Sequence, residues 1–449
     1  MKRTPLKTLL AALVLLISGF ALAAADTSAF AIPETDEGLP GEGPIRRYEW
    51  FRNLWVQRRS NFASTSERDH GSVVFLGDSI TQGWGNSLAA VFPGMHVCNR
   101  GISGDTTRGV LIRLQEDVLD LDPKAVVLLI GTNDIEEQAT PETIVSNIHL
   151  ILAEFKKLNP EMPVIFCEVF PSSEQKKRPK EKIQSINRLM RKLEGGNPQI
   201  IWLDTYNLFA APNGDAIPSE FPDMLHPNDI GYAKWTAALR PIFETLGLIE
   251  KEKKFALEEG YEMLFNGDDL SGWGYLPTPE EDRQNAINWQ KADPEEAAAW
   301  PFVDNAQDFE GMTSSPDGRF VAVNGRLVVT TPCEYRKIQQ IWTNREFDRD
   351  FVLKLEFRAT PNADSGIYIR GPQLQCRDYA LAGPWKDLKH YKPQGWNEMV
   401  VTVKGNKARC VCNGEVLFEA MEVPENGPIG LEGDRGQMEY RRIRIKVEN

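Results

Sequence analysis

Five short apolar runs recur through the first half of this 449-residue chain: "SVVFLG" (72–77), "MHVCNRG" (95–101), "AVVLLIG" (125–131), "PVIFCEV" (163–169) and "QIIWLD" (199–204). The stretches "TRGVLIRLQEDVLDLD", "PETIVSNIHLILAEFKKL" and "KEKIQSINRLMRKLEG" between them place apolar residues three and four apart, the spacing of one helix face. Strands that are apolar throughout must be covered on both faces, and crossover helices supply that cover in a parallel sheet. Residues 46–250 are therefore expected to form a doubly wound α/β unit. In such a sheet the loops after the strands gather along one edge, where ligands bind. "GDSIT", "NRGISGDTT", "GTND" and "DMLHPN" place polar residues after apolar strands or just before the last helix.

The pattern changes after "IEKEKKFALEEG", which makes 251–259 a linker. From 260 to 449 closely spaced strand-like runs follow, and "KGN" and "NGE" supply hairpin turns. That pattern predicts an all-β jelly roll. The polar stretch from Leu276 to Gly318 carries little strand signal and is expected to be a long loop at the edge of a binding face.

At the start, Lys2, Arg3 and Lys7 precede "LLAALVLLISGFALA" and a run of alanines, the layout of a cleavable export signal over 1–25, with 26–45 as a linker. The expected location is periplasmic or secreted. The apolar run is short for a membrane span and no second one follows, so no integral membrane span is expected. The chain has 51 Lys and Arg against 64 Asp and Glu, a formal charge of −13. That balance repels phosphate backbones and argues against nucleic acid as a partner. The six cysteines show no CxxC spacing, and neither a metal site nor a cofactor is expected. Cys98 and Cys167 read as buried thiols, and Cys410 and Cys412 share one strand face, unsuited to a mutual bridge.

A serine hydroxyl becomes a nucleophile when a base takes its proton, and neutral imidazole suits that task near neutral pH. Ser79 stands after the first strand. His226 is the histidine whose setting fits a base: His70, His96, His149 and His390 lie before a strand, in a strand run, in an apolar helical stretch and in the second half. Asp223 precedes His226 by three residues, so one turn can present both. Taken singly, Asn133 and Asp223 could equally be caps, and His226 could pack on Trp235. Asp78, Asp105 and Asp134 read as turn or supporting residues. The chain lacks G-x-S-x-G and a GxxxxGK[ST] loop, which disfavours an ordinary α/β-hydrolase and a nucleotide-phosphate site.

With "GDSIT", Gly101 in "NRGISG", Asn133 in "GTND" and "DMLHP" in that order, the first half resembles the SGNH hydrolases, the GDSL-type lipase and acylhydrolase family. The resemblance implies a flavodoxin-like sheet, Ser79 as nucleophile, and His226 and Asp223 as its partners. It also implies an oxyanion hole of the Ser79 and Gly101 N–H groups and the Asn133 amide. The expected activity is hydrolysis of short acyl esters.

In the second half, "LFNGDDLSGW", "DSGIYIRG" and "GPIGLEGDRGQMEYRRIRIK" resemble the 3-keto-disaccharide hydrolase domain family, a concanavalin-like jelly roll. That resemblance implies carbohydrate handling, by cleavage or by binding. Gln373 and Gln375 stand where the pattern calls for an acid, and Glu432 and Arg435 where it often carries Gln and His; glutamine transfers no protons. Asp364, Tyr368, Arg370, Gln375 and Trp385 are the candidate sugar contacts. Three functions are thus in view: an exported esterase acting on acylated polysaccharide or oligosaccharide, a short-chain lipid acylhydrolase, and a glycan-binding protein without catalysis.

Overall fold

The computed structural model describes residues 30–249, 255–294, 301–330, 336 and 338–448. The expected export signal and residues 251–254 of the expected linker lie outside the described residues. The five apolar runs become β1 (Val73–Gly77), β2 (Val97–Gly101), β3 (Ala125–Leu129), β4 (Val164–Cys167) and β5 (Ile200–Leu203). All pair in parallel, in the order β2-β1-β3-β4-β5.

Alternate residues of each strand point to opposite faces. Val74, Leu76, Val126 and Leu128 enter a core with the helices Thr107–Asp117, Pro141–Leu158 and Lys180–Glu194. Val73, Phe75, Val127 and Ile165 enter the other core, against Trp235 and Phe243 of the helix Asp229–Thr245. Strand order reverses at β1, whose neighbours β2 and β3 follow it on opposite sides. This switch point opens a crevice beyond the strand ends.

The second half is two packed antiparallel sheets. Its strands are β6 (Glu262–Met263), β7 (Trp273–Tyr275), β8 (Gln307–Asp308), β9 (Phe320–Val323), β10 (Arg326–Val329), β11 (Gln339–Thr343), β12 (Phe351–Ala359) and β13 (Gly366–Ile369). They continue with β14 (Gln373–Gln375), β15 (Asn397–Lys404), β16 (Lys407–Cys412), β17 (Glu415–Glu422), β18 (Ile429–Gly433) and β19 (Met438–Val447). One sheet runs β17-β16-β15-β12-β19-β10-β9, with β6 also on β19; the other runs β14-β13-β18-β11-β7-β8. Between them lies an apolar core that includes Leu353, Leu355, Ile367, Met399, Leu431 and Ile443. The "KGN" and "NGE" turns are hairpins, the latter with Asn413 and Gly414 both at positive φ as a tight two-residue turn demands.

The expected long loop after Leu276 instead contains the helix Glu280–Ala292. Pro279 opens it, three acids occupy its first turn and Lys291 its last, so the charges complement the helix dipole. Cys98, Cys167, Cys376, Cys410 and Cys412 are buried free thiols.

The two halves are joined along the outer edge of β5. A free strand edge leaves unpaired N–H and C=O groups. Gln437 supplies both partners at once: its Nε2 donates to the Ile200 carbonyl (2.8 Å) and its Oε1 accepts the Trp202 N–H (3.3 Å). Arg358 donates to the Trp202 carbonyl, and Gln394 accepts the Asp204 N–H (2.7 Å) and donates to the Asp204 carbonyl (3.1 Å). Side chains of the second half thus replace a missing sixth strand.

Candidate active site

β1 ends where it must. A Cβ on Gly77 would lie 2.2 Å from the Leu129 carbonyl oxygen and 2.3 Å from Thr81 Oγ1, so only glycine lets the chain turn here. Asp78 then caps a four-residue helix, Ser79–Gln82, by accepting the Ile80 N–H (2.9 Å). Ser79 is left at the helix start, where N–H groups have no partner in the helix. Its Oγ lies 3.0 Å from His226 Nε2, and His226 Nδ1 lies 2.8 Å from Asp223 Oδ2. The other Asp223 oxygen accepts the N–H groups of Leu225 (3.0 Å) and His226 (2.7 Å). Burial alone would raise the Asp223 carboxyl, but these hydrogen bonds hold it down to about 2, so it stays ionised beside the imidazole.

Gly101 does not join this group. Its N–H is taken by Asn99 Oδ1 (2.9 Å), its carbonyl by Arg58 (2.9 and 3.1 Å), and it lines no part of the Ser79 cleft. The second glycine of the same loop, Gly104, does line it, with φ of +88° and an N–H that meets no acceptor among the described residues. "NRGISGD" contains two glycines, and the sequence alone does not say which one faces the cleft.

Asn133 lines the cleft, buried. One amide N–H reaches the Asp105 carbonyl (2.9 Å), and Oδ1 accepts from Arg178 Nη2 (3.1 Å), which fixes the orientation of the amide. Arg178 is itself buried and spreads its other N–H groups over Thr132, Lys176 and Glu136. It carries no motif in the sequence. Beneath these loops, burial pushes Asp78 and Asp105 up to about 6 and Asp134 up to about 7. Asp105 is bonded to Arg113 (2.8 Å), and Asp134 accepts the Thr107 hydroxyl (2.6 Å). They brace the floor of the site. The cleft holds about 420 Å³, and apart from Trp50 and Leu225 its walls are polar, charged or glycine.

A second cavity of about 630 Å³ lies on the open face of the sheet containing β11, β13, β14 and β18. Gln340 and Glu432 are cross-strand partners, and both Trp342 and Tyr368 face Gly430. A Cβ at Gly430 would lie 2.7 Å from the Trp342 ring, so the glycine makes room for the indole. Glu432 accepts from Tyr368 Oη (2.8 Å) and Gln373 Nε2 (2.5 Å). Burial pushes its carboxyl up to about 7 against the hydrogen bond from Tyr368, with Asp434 and Asp364 adding repulsion. The glutamines therefore do not leave this half without a proton-transfer group.

Of the candidate sugar contacts, Asp364, Tyr368 and Gln375 line the cavity. Arg370 does not: it is buried at φ +54°, donates to the carbonyls of Gly405, Pro424 and Arg349, and lies over Phe351. Trp385 packs edge-on against Tyr379 and Phe418, away from the cavity. The segment Leu276–Pro279 and Asp282 do form one wall, as expected of a binding-face edge.

Residues 75–234 match the family model for the GDSL-like lipase/acylhydrolase family. Platelet-activating factor acetylhydrolase IB subunit alpha1 of Rattus norvegicus is 30% identical over 191 residues, 42% of this chain and 82% of the relative. The chain belongs to the GDSL-like lipase/acylhydrolase family. It is accordingly a carboxylic ester hydrolase. The alpha2 subunit of Homo sapiens is 28% identical over 212 residues, 46% of this chain and 87% of the relative. A GDSL-like lipase structure from Bacteroides thetaiotaomicron is 28% identical, covering 41% of this chain and 96% of that one at a TM-score of 0.37. Residues 260–446 match a 3-keto-alpha-glucoside-1,2-lyase-like domain. Among the described residues no helix is long and apolar enough to cross a membrane.

Proposed function

We propose that the chain is an exported esterase that removes short acyl groups, acetyl above all, from carbohydrate, with Ser79 as nucleophile. The observation that carries it is the hydrogen-bonded line from Ser79 Oγ through His226 to Asp223. Ser79 Oγ attacks the ester carbonyl carbon while its proton passes to His226 Nε2, and Asp223 stabilises the imidazolium. The negative charge on the carbonyl oxygen is met by the N–H groups of Ser79 and Gly104 and the Asn133 amide. His226 returns the proton to the departing alcohol oxygen as its bond to carbon breaks. Water, deprotonated by His226, then attacks the acyl carbon, and His226 passes that proton to Ser79 Oγ as its bond to carbon breaks.

A short acyl group is favoured by the nearly apolar-free cleft, which offers no channel for a hydrocarbon chain. The relatives are named acetylhydrolases, in keeping with that size. Carbohydrate as the alcohol is favoured by the fused second half, whose cavity joins an indole and a phenol to amides and carboxylates, a set suited to sugar rings and hydroxyls. Export is favoured by the leading segment of the sequence. The relatives' name also favours a second alcohol class, a short-chain phospholipid. Acetate and reducing sugar, scored separately for wild type and Ser79→Ala on acetylated xylan, acetylated pectin and a short-chain phospholipid, test this. Acetate should come from a glycan and fall by on the order of 10⁴-fold or more in the variant. Release from the phospholipid alone would overturn the carbohydrate assignment.

A further inference from the structure

The lip of the ester cleft has a composition at odds with the rest of the chain. The whole sequence carries a formal charge of −13, yet the cleft lining sets Arg46, Lys176, Lys177 and Arg178 against Glu136, with Glu137 and Asp223 the further carboxylates that these cations reach. Two of these cations are spent within the protein: Arg46 and Arg178 converge on Glu136. Lys176 leans toward Asp223 at 3.6 Å. Lys177 has no ion pair among the described residues, is exposed, and sits at φ +57°. A non-glycine residue in that left-handed region is uncommon and is held there by its surroundings.

Across the cleft stands Trp50, 52% exposed although large and apolar. Its ring borders the oxyanion side: a Cβ on Gly104 would lie 2.7 Å from Trp50 Cη2. Tyr48, 53% exposed, lies nearly parallel to it, with ring centroids 6.4 Å apart and planes 10° apart. Exposed flat aromatic faces beside a reacting centre suit the apolar face of a sugar ring, whereas a chain-like hydrocarbon calls for an enclosing channel.

We propose that this lip selects esters of acidic sugars, with the pyranose laid on Trp50 and its ring carboxylate received by the Lys177 ammonium. The inference rests on the carbohydrate-ester reading above and names the sugar class. The local cations let a polyanionic glycan approach an otherwise acidic protein, because a fixed charge within a few ångströms outweighs distant charges screened by salt.

The test uses the full-length protein on an acetylated oligogalacturonide and on the same oligosaccharide with its carboxylates methyl-esterified, with acetate release as readout. Wild type should prefer the charged form in kcat/KM by about fivefold, the size expected for one exposed charge pair. The preference should shrink as salt is raised. Lys177→Gln should reduce it to below twofold, Lys177→Glu should reverse it, and Lys177→Arg should keep it. Trp50→Ala should raise KM on both forms while kcat changes less. Equal rates on the two forms in wild type, or a preference that survives Lys177→Glu, would overturn this inference and leave the ester chemistry intact. No acetate from either glycan, with p-nitrophenyl acetate still turned over by wild type, would remove the carbohydrate reading and this inference with it.

Discussion

The two cavities of this protein shift their carboxyl groups in opposite directions. In the ester cleft, hydrogen bonds hold Asp223 down to about 2 against burial, so it stays ionised, and in the proposed mechanism the cleft's donors receive the negative oxygen. The sheet-face cavity of the second half does the reverse. Glu432 is enclosed by Tyr368 and glutamine amides, and burial with neighbouring acids lifts it to about 7, so it keeps its proton to a higher pH than an ordinary carboxyl does. One site keeps its carboxyl ionised and the other raises it. Similar polar residues take on different chemistry according to whether their partners are donors with free capacity or a desolvating wall.

The sharpest way to break this contrast is to remove a donor. Asn133→Ala should lower kcat on a short acyl ester by about 100- to 1,000-fold, with KM little changed, because the amide acts on charge present only in the transition state. Steady-state kinetics on p-nitrophenyl acetate checks it. Next in size, Arg178→Met should lower kcat by about tenfold through loss of the bond that orients Asn133, and Arg178→Lys should recover part of it. Equal losses in kcat for Asn133→Ala alone and for the double variant would show that the two act as one unit.

The shared edge gives a smaller effect on stability. Gln437→Ala leaves the Ile200 carbonyl and the Trp202 N–H without their partner and should destabilise the fold by about 1–3 kcal/mol, read by chemical denaturation. A second, earlier transition would then mark separation of the halves. The smallest expected change is in pH dependence. Glu432 has a raised folded pKa, so its contribution is present below the ordinary carboxylate range and is lost as pH rises toward and past about 7. Asp78, Asp105 and Asp134 act with the same sign. Thermal stability should therefore fall as pH rises from about 5 to about 7, and Glu432→Gln should flatten that slope by a few degrees in Tm without abolishing it.

How much of each site could be read in advance follows from where its residues lie. The ester residues follow strands or precede the last helix, so each sits in a short local pattern, and β1 to β5 were legible because continuous apolar runs have few alternatives. Gly104 was missed because its neighbour Gly101 satisfies the same pattern, and only the backbone shows that Gly101 gives its N–H to Asn99. Arg178 carries no signal in the sequence because its partners Glu136 and Asn133 stand on a short helix 42 and 45 residues away. The second cavity is assembled across sheet neighbours, with Gln340 beside Glu432 through pairing of residues 92 apart. Alternation along a strand gives a residue's face but not its neighbours, which is why Arg370 stands among the candidate sugar contacts although it is buried. The helix at Glu280–Ala292 is hidden in the sequence by its low apolar content, which gives no face for a core.

The central claim is that His226 makes Ser79 a nucleophile. Covalent labelling by a fluorophosphonate, followed by mass spectrometry of wild type and His226→Ala, tests it most directly. A single adduct on Ser79, formed at least about 100-fold more slowly in the variant, is the predicted result. An adduct on a different residue, or labelling of Ser79 at the same rate without the imidazole, would contradict it.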